Sequence, residues 1–310
     1  MKNFKKYFYK KKILIIGGTG FLGYHLAKHC LKKKFLVTSI SKNSPKKWRY
    51  LKKVRYIKCD ISNKILLKKK TKDSYDYIIN LGGYVDHTNK KETFKSHYIG
   101  VKNLTDLFIK KKIIKFIQIG SSMEYGRVRS PQNETFRCIP RSIYGVSKYL
   151  ATKYLLNTYF EKNFPVIILR VYQVYGPYQS FNRLIPTVIN SCKNNSKFPC
   201  SNGNQKRDFL YVDDLINVIF LSLKNKNLIG KIINIGSGVP IKVKMIIKKI
   251  RSYFQKGYPQ FGKIKFRPEE MFITYPDIKK ARNFLNWKPK ENFNTGLKKT
   301  IQFYLACKFE

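Results

Sequence analysis

Acidic residues are scarce in this chain of 310 residues: 17 Asp and Glu stand against 64 Lys and Arg, a formal charge of +47. Such an imbalance ordinarily suggests nucleic acid or an anionic membrane as partner. Its distribution argues against both. The lysines fall in short runs along the whole chain (10–12, 32–34, 68–70, 110–112), mostly at apparent helix ends and loops. Asn and Ile are also abundant, and with Lys they are what an AT-rich coding sequence produces. The charge therefore reads as solvated surface, with one consequence: anionic substrates are attracted to it.

Long apolar runs are missing too. None approaches the length of about 18 residues that a membrane-spanning helix needs. The opening MKNFKKYFYKKK is basic, but a short strand follows it rather than an apolar signal segment. A cytoplasmic protein is expected. Paired cysteines are the third absence. Cys30, Cys59, Cys138, Cys192, Cys200 and Cys307 include no CxxC and share no metal-ligand spacing with the four His. They read as reduced thiols, with neither a disulfide framework nor a metal site.

A hydrophobic fraction of 43% and an aromatic fraction of 15% mark a globular chain. At this length it can bury one sizeable α/β domain and a smaller partner. Residues 13–23 read ILIIGGTGFLG, an apolar run followed by Gly17, Gly20 and Gly23. A buried parallel strand looks like this where it turns into a helix. One glycine permits the tight turn, one lets the backbone approach a pyrophosphate, and one lets the helix pack closely on its strand. The helix over Phe21–Leu31 then aims free N–H groups at the phosphates. A dinucleotide site is expected here, against the plainer alternative of a Gly-rich turn.

Further strands are expected at Leu36–Ile40, Val54–Lys58, Tyr77–Leu81, Phe116–Ile119 and Val166–Arg170, with Ile13–Ile16 first. Helices are expected at Phe94–Lys110, Ser142–Phe160, Leu184–Asn194, Val212–Lys224 and Val243–Phe254. Alternating elements with apolar strands predict a doubly wound parallel sheet. The expected division is a dinucleotide-binding domain over 1–175 and a smaller α/β substrate domain over 176–310. The segment 211–237 is expected to pack back on the first.

Tyr144 and Lys148 are four residues apart on a helical segment, so their side chains leave one face. A lysine charge near a phenol favours phenolate and lowers its pKa from about 10, making Tyr144 a usable acid or base. With 22 Tyr and so many Lys the spacing alone is cheap, and a solvated pair is the plainer alternative. Context raises it: IQIGSSMEYG at 117–126 places Ser121 at a strand's C-terminal end, where α/β sheets bind ligands. There it is poised to hydrogen-bond a substrate oxygen beside Tyr144.

The chain resembles the extended short-chain dehydrogenases/reductases of the nucleotide-sugar epimerase/dehydratase type over nearly its whole length. GGTGFLG (17–23), CDI (59–61), INLGG (79–83), GSSMEYG (120–126) and YGVSK (144–148) carry the resemblance. RVYQVYGP (170–177), KRDFLYVDDL (206–215), NIGSG (234–238) and NWKP (286–289) extend it in order. It implies a Rossmann-type fold in which Gly17, Gly20, Phe21, Leu22, Gly23 and Leu81 meet the cofactor, with Asp60 and Ile61 at the adenine. It implies catalysis by Ser121, Tyr144 and Lys148, with Lys148 also on the nicotinamide ribose. Arg207 and Arg267 fall where the family contacts the substrate's diphosphate, and a homodimer is implied through helices near 94–110 and 144–160.

Departures from the family pattern matter as well. Dehydratases carry an Asp-Glu pair after the catalytic Thr, where this chain has Ser122 and Met123, so dehydration is disfavoured. Gln173 replaces an asparagine expected near the substrate, and His97 replaces another before the following helix. The second strand ends in Ser41 and Lys42 without the acid that NAD sites usually place there, which favours NADP over NAD. The leading expectation is an NADPH-dependent reductase of a 4-keto-6-deoxy nucleotide sugar, with Tyr144 as proton donor. The alternative is an NAD-dependent nucleotide-sugar 4-epimerase, and a distant third is an RNA-binding relative of the same fold.

Overall fold

A computed structural model describes residues 10–84, 86, 88–266 and 271–307. A strand covered on both faces must be apolar at every position. The first strand, β1 (Lys12–Ile16), meets that demand after its opening lysine: Ile13 and Ile15 enter one core and Leu14 and Ile16 the other. The chain then alternates through α1 (Phe21–Lys32), β2 (Leu36–Ser41), β3 (Val54–Lys58), α2 (Lys64–Lys70) and β4 (Tyr77–Asn80). Next come α3 (Lys90–Phe94), α4 (Gly100–Phe108), β5 (Lys115–Ser121), α5 (Ile143–Lys162) and β6 (Val166–Val171). All six expected strands form, each end within two residues of its expected place.

The second half runs β7 (Gln173–Tyr175), α6 (Leu184–Lys193), β8 (Lys197–Pro199), β9 (Lys206–Tyr211), α7 (Val212–Lys224) and β10 (Ile232–Ile235). It continues with β11 (Pro240–Lys242), α8 (Val243–Phe254), β12 (Tyr258–Gln260), β13 (Ile273–Thr274), α9 (Lys279–Leu285) and α10 (Phe293–Ala306). Seven strands make one parallel sheet in the order β10-β6-β5-β4-β1-β2-β3, a Rossmann-type doubly wound arrangement. The last of them, β10, re-enters this sheet beside β6 from late in the chain. A smaller sheet is built on β9, which pairs with β11 and β13 at its start and with β7 at its end. Strand order reverses between β1 and β4, and the crevice at their C-terminal ends is where such sheets bind ligands.

Two local features depart from the periodicity. The helix expected over Phe94–Lys110 is interrupted: α3 ends at Phe94, residues Lys95–Ile99 form a π turn, and α4 begins at Gly100. Asn103 pins α4 to the loop after β3 by donating to the carbonyls of Ile61 and Ser62 at 3.0 and 2.9 Å. His97 is separately pinned, with Nε2 3.1 Å from the Tyr84 carbonyl. The wider turn contains His97 and ends four residues before Asn103, between the two anchors. The other feature is Lys115, which opens β5 yet is buried at 2% exposure. Its ammonium donates to the carbonyls of Ser222, Leu223 and Asn225 at 3.0, 2.8 and 2.8 Å. A cation thus occupies the negative end of α7 and satisfies carbonyls that a helix leaves unpaired. Burial pulls its pKa below the usual lysine value.

Among the described residues no helix is long and apolar enough to cross a membrane.

Candidate active site

The loop from β1 to α1 forms the floor of the crevice. Gly17 has φ +77°, a left-handed conformation that favours glycine, and a Cβ there would meet Gly82 at 2.9 Å. At Gly23 a Cβ would come 2.3 Å from the Gly17 carbonyl oxygen, so α1 packs on the loop only through glycine. Gly20 differs from both. Its missing Cβ would have a single neighbour, the Gly17 carbonyl oxygen at 3.3 Å, leaving the space beside the N-terminus of α1 open. An open cradle beside unpaired helix N–H groups fits the pyrophosphate of a dinucleotide.

A cleft of about 1010 Å³ rises from this floor. Gly17, Gly20, Phe21, Leu22, Gly23, Ser41, Lys42, Asp60, Ile61, Leu81, Ser121, Tyr144, Lys148 and Gln173 all line it. Residues separated by up to 156 positions in the chain therefore converge on one wall or another. Arg207 does not line this cleft. It lines an adjoining cavity of about 70 Å³ that shares Ser122, Met123, Tyr172 and Gln173 with the larger one. Its guanidinium donates to the carbonyls of Lys206 and Phe272. Arg267 lies outside the described residues.

At the catalytic end, β5 delivers Ser121 and α5 delivers Tyr144 and Lys148. Ser121 begins a short turn, accepting from the Met123 N–H at 3.2 Å while its own N–H donates to Glu124 at 2.8 Å. Lys148 is buried and donates to the Ile119 carbonyl at 2.7 Å. That carbonyl also accepts from Gln118, which accepts in turn from Asn80, whose side-chain oxygen takes the Gly82 N–H. A buried polar chain thus links the turn after β4 to the catalytic lysine. Burial brings the Lys148 pKa down to about 8, with the Glu124 charge opposing the fall.

Tyr144 corrects an expectation. Its pKa is raised, not lowered: burial is the largest cause, and a hydrogen bond with Ser121 and the charge of Arg183 only partly offset it. Lys148 is near, its Nζ 5.9 Å from the Tyr144 ring centroid, but it is directed to the backbone of β5. His97 packs edge-on against Tyr144, with ring centroids 4.9 Å apart. The π turn sets that contact.

At the other end of the cleft, Lys42 is not the unshared cation that its place after β2 suggested. Its Nζ lies 3.0 Å from Glu92 and 3.4 Å from Asp60. The Glu92 hydrogen bond raises the Lys42 pKa. Burial works against the Asp60 charge, but two hydrogen bonds from Ser62 and the Lys42 charge outweigh it and hold the carboxyl below its usual range. Ser41 accepts from the Thr19 N–H at 3.3 Å.

Several lining residues escaped the sequence reading. Glu92 and Lys95 come from α3 and the π turn, and Asn182 and Arg183 from the loop before α6; His97, noted in the sequence only as a departure from the family pattern, lines the cleft beside them. Arg49 fixes that loop by donating to the Tyr178 carbonyl and to Ser180 at 3.1 Å. The one signal available was compositional: with 17 acids in the chain, each carboxylate merits a reason.

Comparison with known proteins gives a consistent picture. Residues 13–236 match the model of the NAD dependent epimerase/dehydratase family. A putative UDP-glucose 4-epimerase of Methanocaldococcus jannaschii is 28% identical over 94% of this chain and 97% of its own length. A dTDP-D-glucose 4,6-dehydratase of Dictyostelium discoideum is 30% identical, covering 77% of this chain and 61% of that protein. Among solved structures, the UDP-glucuronic acid 4-epimerase from Bacillus cereus, in complex with UDP-glucuronic acid and NAD, superposes with a TM-score of 0.84. It is 26% identical over 94% of this chain and 98% of its own.

Proposed function

The chain belongs to the NAD-dependent epimerase/dehydratase family, and on that premise we propose that it is an NAD-dependent nucleotide-sugar 4-epimerase. It is an enzyme, and the relatives named above are epimerases and dehydratases. The observation that carries the choice is the segment after Ser121. Its carboxylate, Glu124, is 0% exposed and engaged by Arg170, while the neighbouring Ser122 and Met123 that face the cleft supply no acid or base. Proton removal for dehydration has no group there to perform it. A reductase, which the sequence placed first, uses the same three residues but has no counterpart among these relatives.

The glycine floor, the cradle at Gly20 and the cleft wall at Asp60 and Ile61 fit a dinucleotide, and NAD is favoured over NADP. A 2′-phosphate near Ser41 would need an unshared cation, and the Lys42 charge is already divided between Glu92 and Asp60. NAD held by the glycine floor and by Asp60 and Ile61 would supply reversible hydride chemistry at the sugar's C4. As the phenolate, Tyr144 accepts the 4-hydroxyl proton, and as the phenol so formed it later gives that proton back to the 4-oxygen. Ser121 hydrogen-bonds the same oxygen. Lys148 keeps its ammonium 5.9 Å from the Tyr144 ring centroid, and Gln173, at the border of the two cavities, and Arg207, in the smaller one, are placed to meet the sugar nucleotide.

A panel of UDP-, dTDP-, CDP- and GDP-sugars tests the reading, with products resolved by NMR and the nicotinamide absorbance followed. The expected result is one epimer ratio reached from both directions with no net absorbance change. Stoichiometric loss of NADPH absorbance with a 4-keto-6-deoxy sugar nucleotide would overturn it in favour of the reductase.

A further inference from the structure

Glu124 is fully buried, does not line the cleft, and has no part in the chemistry above. It nevertheless touches β5 and α5, which carry Ser121, Tyr144 and Lys148, and β6 behind them. One carboxylate oxygen accepts the Ser121 N–H at 2.8 Å, at the end of β5. The other accepts the Thr152 hydroxyl at 2.8 Å and the Arg170 Nε at 2.9 Å, from α5 and β6. Thr152 lies four residues beyond Lys148 and eight beyond Tyr144, on the same face of α5. Room for the carboxylate is made by Gly120, where a Cβ would stand 2.6 Å from it.

Arg170 is just as enclosed, at 3% exposure. Its guanidinium sits 4.7 Å from the Tyr125 ring centroid, and the Tyr125 hydroxyl donates to Asn234 at 2.8 Å. A buried ion pair is weak evidence for stability, because desolvation offsets its attraction. Placing one immediately behind a reactive constellation calls for a different reason.

We propose that Glu124 is a positioning residue for this site, its carboxylate locking Ser121 against the Tyr144–Lys148 face of α5 and its charge setting the electrostatic balance there. The inference rests on the reading of Ser121, Tyr144 and Lys148 as the catalytic set. The charges facing Tyr144 are Glu124 after β5, Arg183 before α6 and Lys148 on α5, with His97 from the π turn edge-on and Ser121 hydrogen-bonded. Lys148 faces Glu124, and Cys138 faces both members of the ion pair. Glu124 raises the pKa of Tyr144 and of Lys148, so it holds protons on both.

Glu124→Gln alone leaves Arg170 buried and uncompensated, so the decisive protein is the double variant Glu124→Gln/Arg170→Gln, with its fold checked by thermal melting. Two readouts apply. Phenol titration at 295 nm, taken as the difference between each protein and the same protein carrying Tyr144→Phe, needs no substrate. The alkaline limb of kcat, read on whichever nucleotide sugar is turned over, reports Lys148.

Both midpoints are expected to move to lower pH, and loss of the clamp on Ser121 and α5 is expected to outweigh the larger phenolate fraction, with kcat down tenfold or more and KM within threefold. Thr152→Val, which keeps the charge but loosens the clamp, is expected to lower kcat without moving either midpoint. A folded double variant with an unmoved phenol midpoint overturns the proposal, as does one with near wild-type kcat. A wild type inactive on every sugar nucleotide defeats the epimerase reading instead, and the phenol titration still decides the role of Glu124.

Discussion

Lys148 and Tyr144 lie one helical turn apart, yet the ammonium is bonded to the Ile119 carbonyl at 2.7 Å while its distance to the phenol ring centroid is 5.9 Å. The lysine is therefore held by the sheet rather than by the phenol. Holding a buried charge there has a cost in stability.

The cost is measurable. Lys148→Met removes a buried charge, and the Ile119 carbonyl keeps its bond from Gln118. The variant is expected to melt higher than wild type at neutral pH, by about 2–4 °C for each kcal/mol relieved, while losing turnover. The sign follows from linkage. The lysine titrates near 8 when folded, against 10.5 as its ordinary value, so the unfolded chain binds more protons between those limits. Wild-type stability rises with pH across that window, and the advantage of the variant fades over it. Melting curves at pH 7 and pH 10 check this; an advantage that grows with pH contradicts it.

Tyr144→Phe is expected to reduce kcat by about a hundredfold or more and to leave dinucleotide affinity and melting temperature near wild type. Steady-state kinetics with a parallel cofactor titration measure both. Turnover close to wild type would remove Tyr144 from the mechanism.

Gly20→Val separates a ligand role from a folding role. The added Cβ meets only one atom, at 3.3 Å, and the backbone there is extended with φ −78°, which valine accepts. Folding is expected to survive while NAD affinity falls at least tenfold, as read by fluorescence titration. Unchanged affinity would mean that the pyrophosphate is bound elsewhere.

Glu92→Gln tests cofactor choice. It releases Lys42 from its shorter ion pair, and a partly exposed pair of this kind is worth about 1 kcal/mol at most. NADP affinity is expected to rise by roughly fivefold relative to NAD, the ratio that corresponds to that energy. Competitive titration with both cofactors gives the ratio directly, and a wild type that already prefers NADP refutes the premise.

The parallel strands and the glycine floor were legible because their determinants are local. An apolar run such as Ile13–Ile16, bounded by Gly17, carries its own fate. Ser121, Tyr144 and Lys148 were legible as motifs, and the sheet brings them to one cleft. What the sequence hid was set at long range. The partners of Lys42 sit 18 and 50 residues away, on the loop after β3 and on α3, and no spacing rule connects them. The break at Lys95–Ile99 lies where His97 and Asn103 are held by different and distant anchors, which no local spacing encodes. The raised pKa of Tyr144 reflects burial, which a four-residue spacing does not encode.

Lys115 has a practical use in a chain so rich in amines. Acylating reagents attack neutral, accessible lysines, and this one is enclosed with three carbonyls around its nitrogen. Surface lysines are expected to be modified within the first moments of exposure, and Lys115 only when the end of α7 lifts from the start of β5. Its labelling rate, followed by peptide mass spectrometry, is thus a built-in clock for the opening of that seam. A rate as fast as that of the surface amines would show that the seam opens freely.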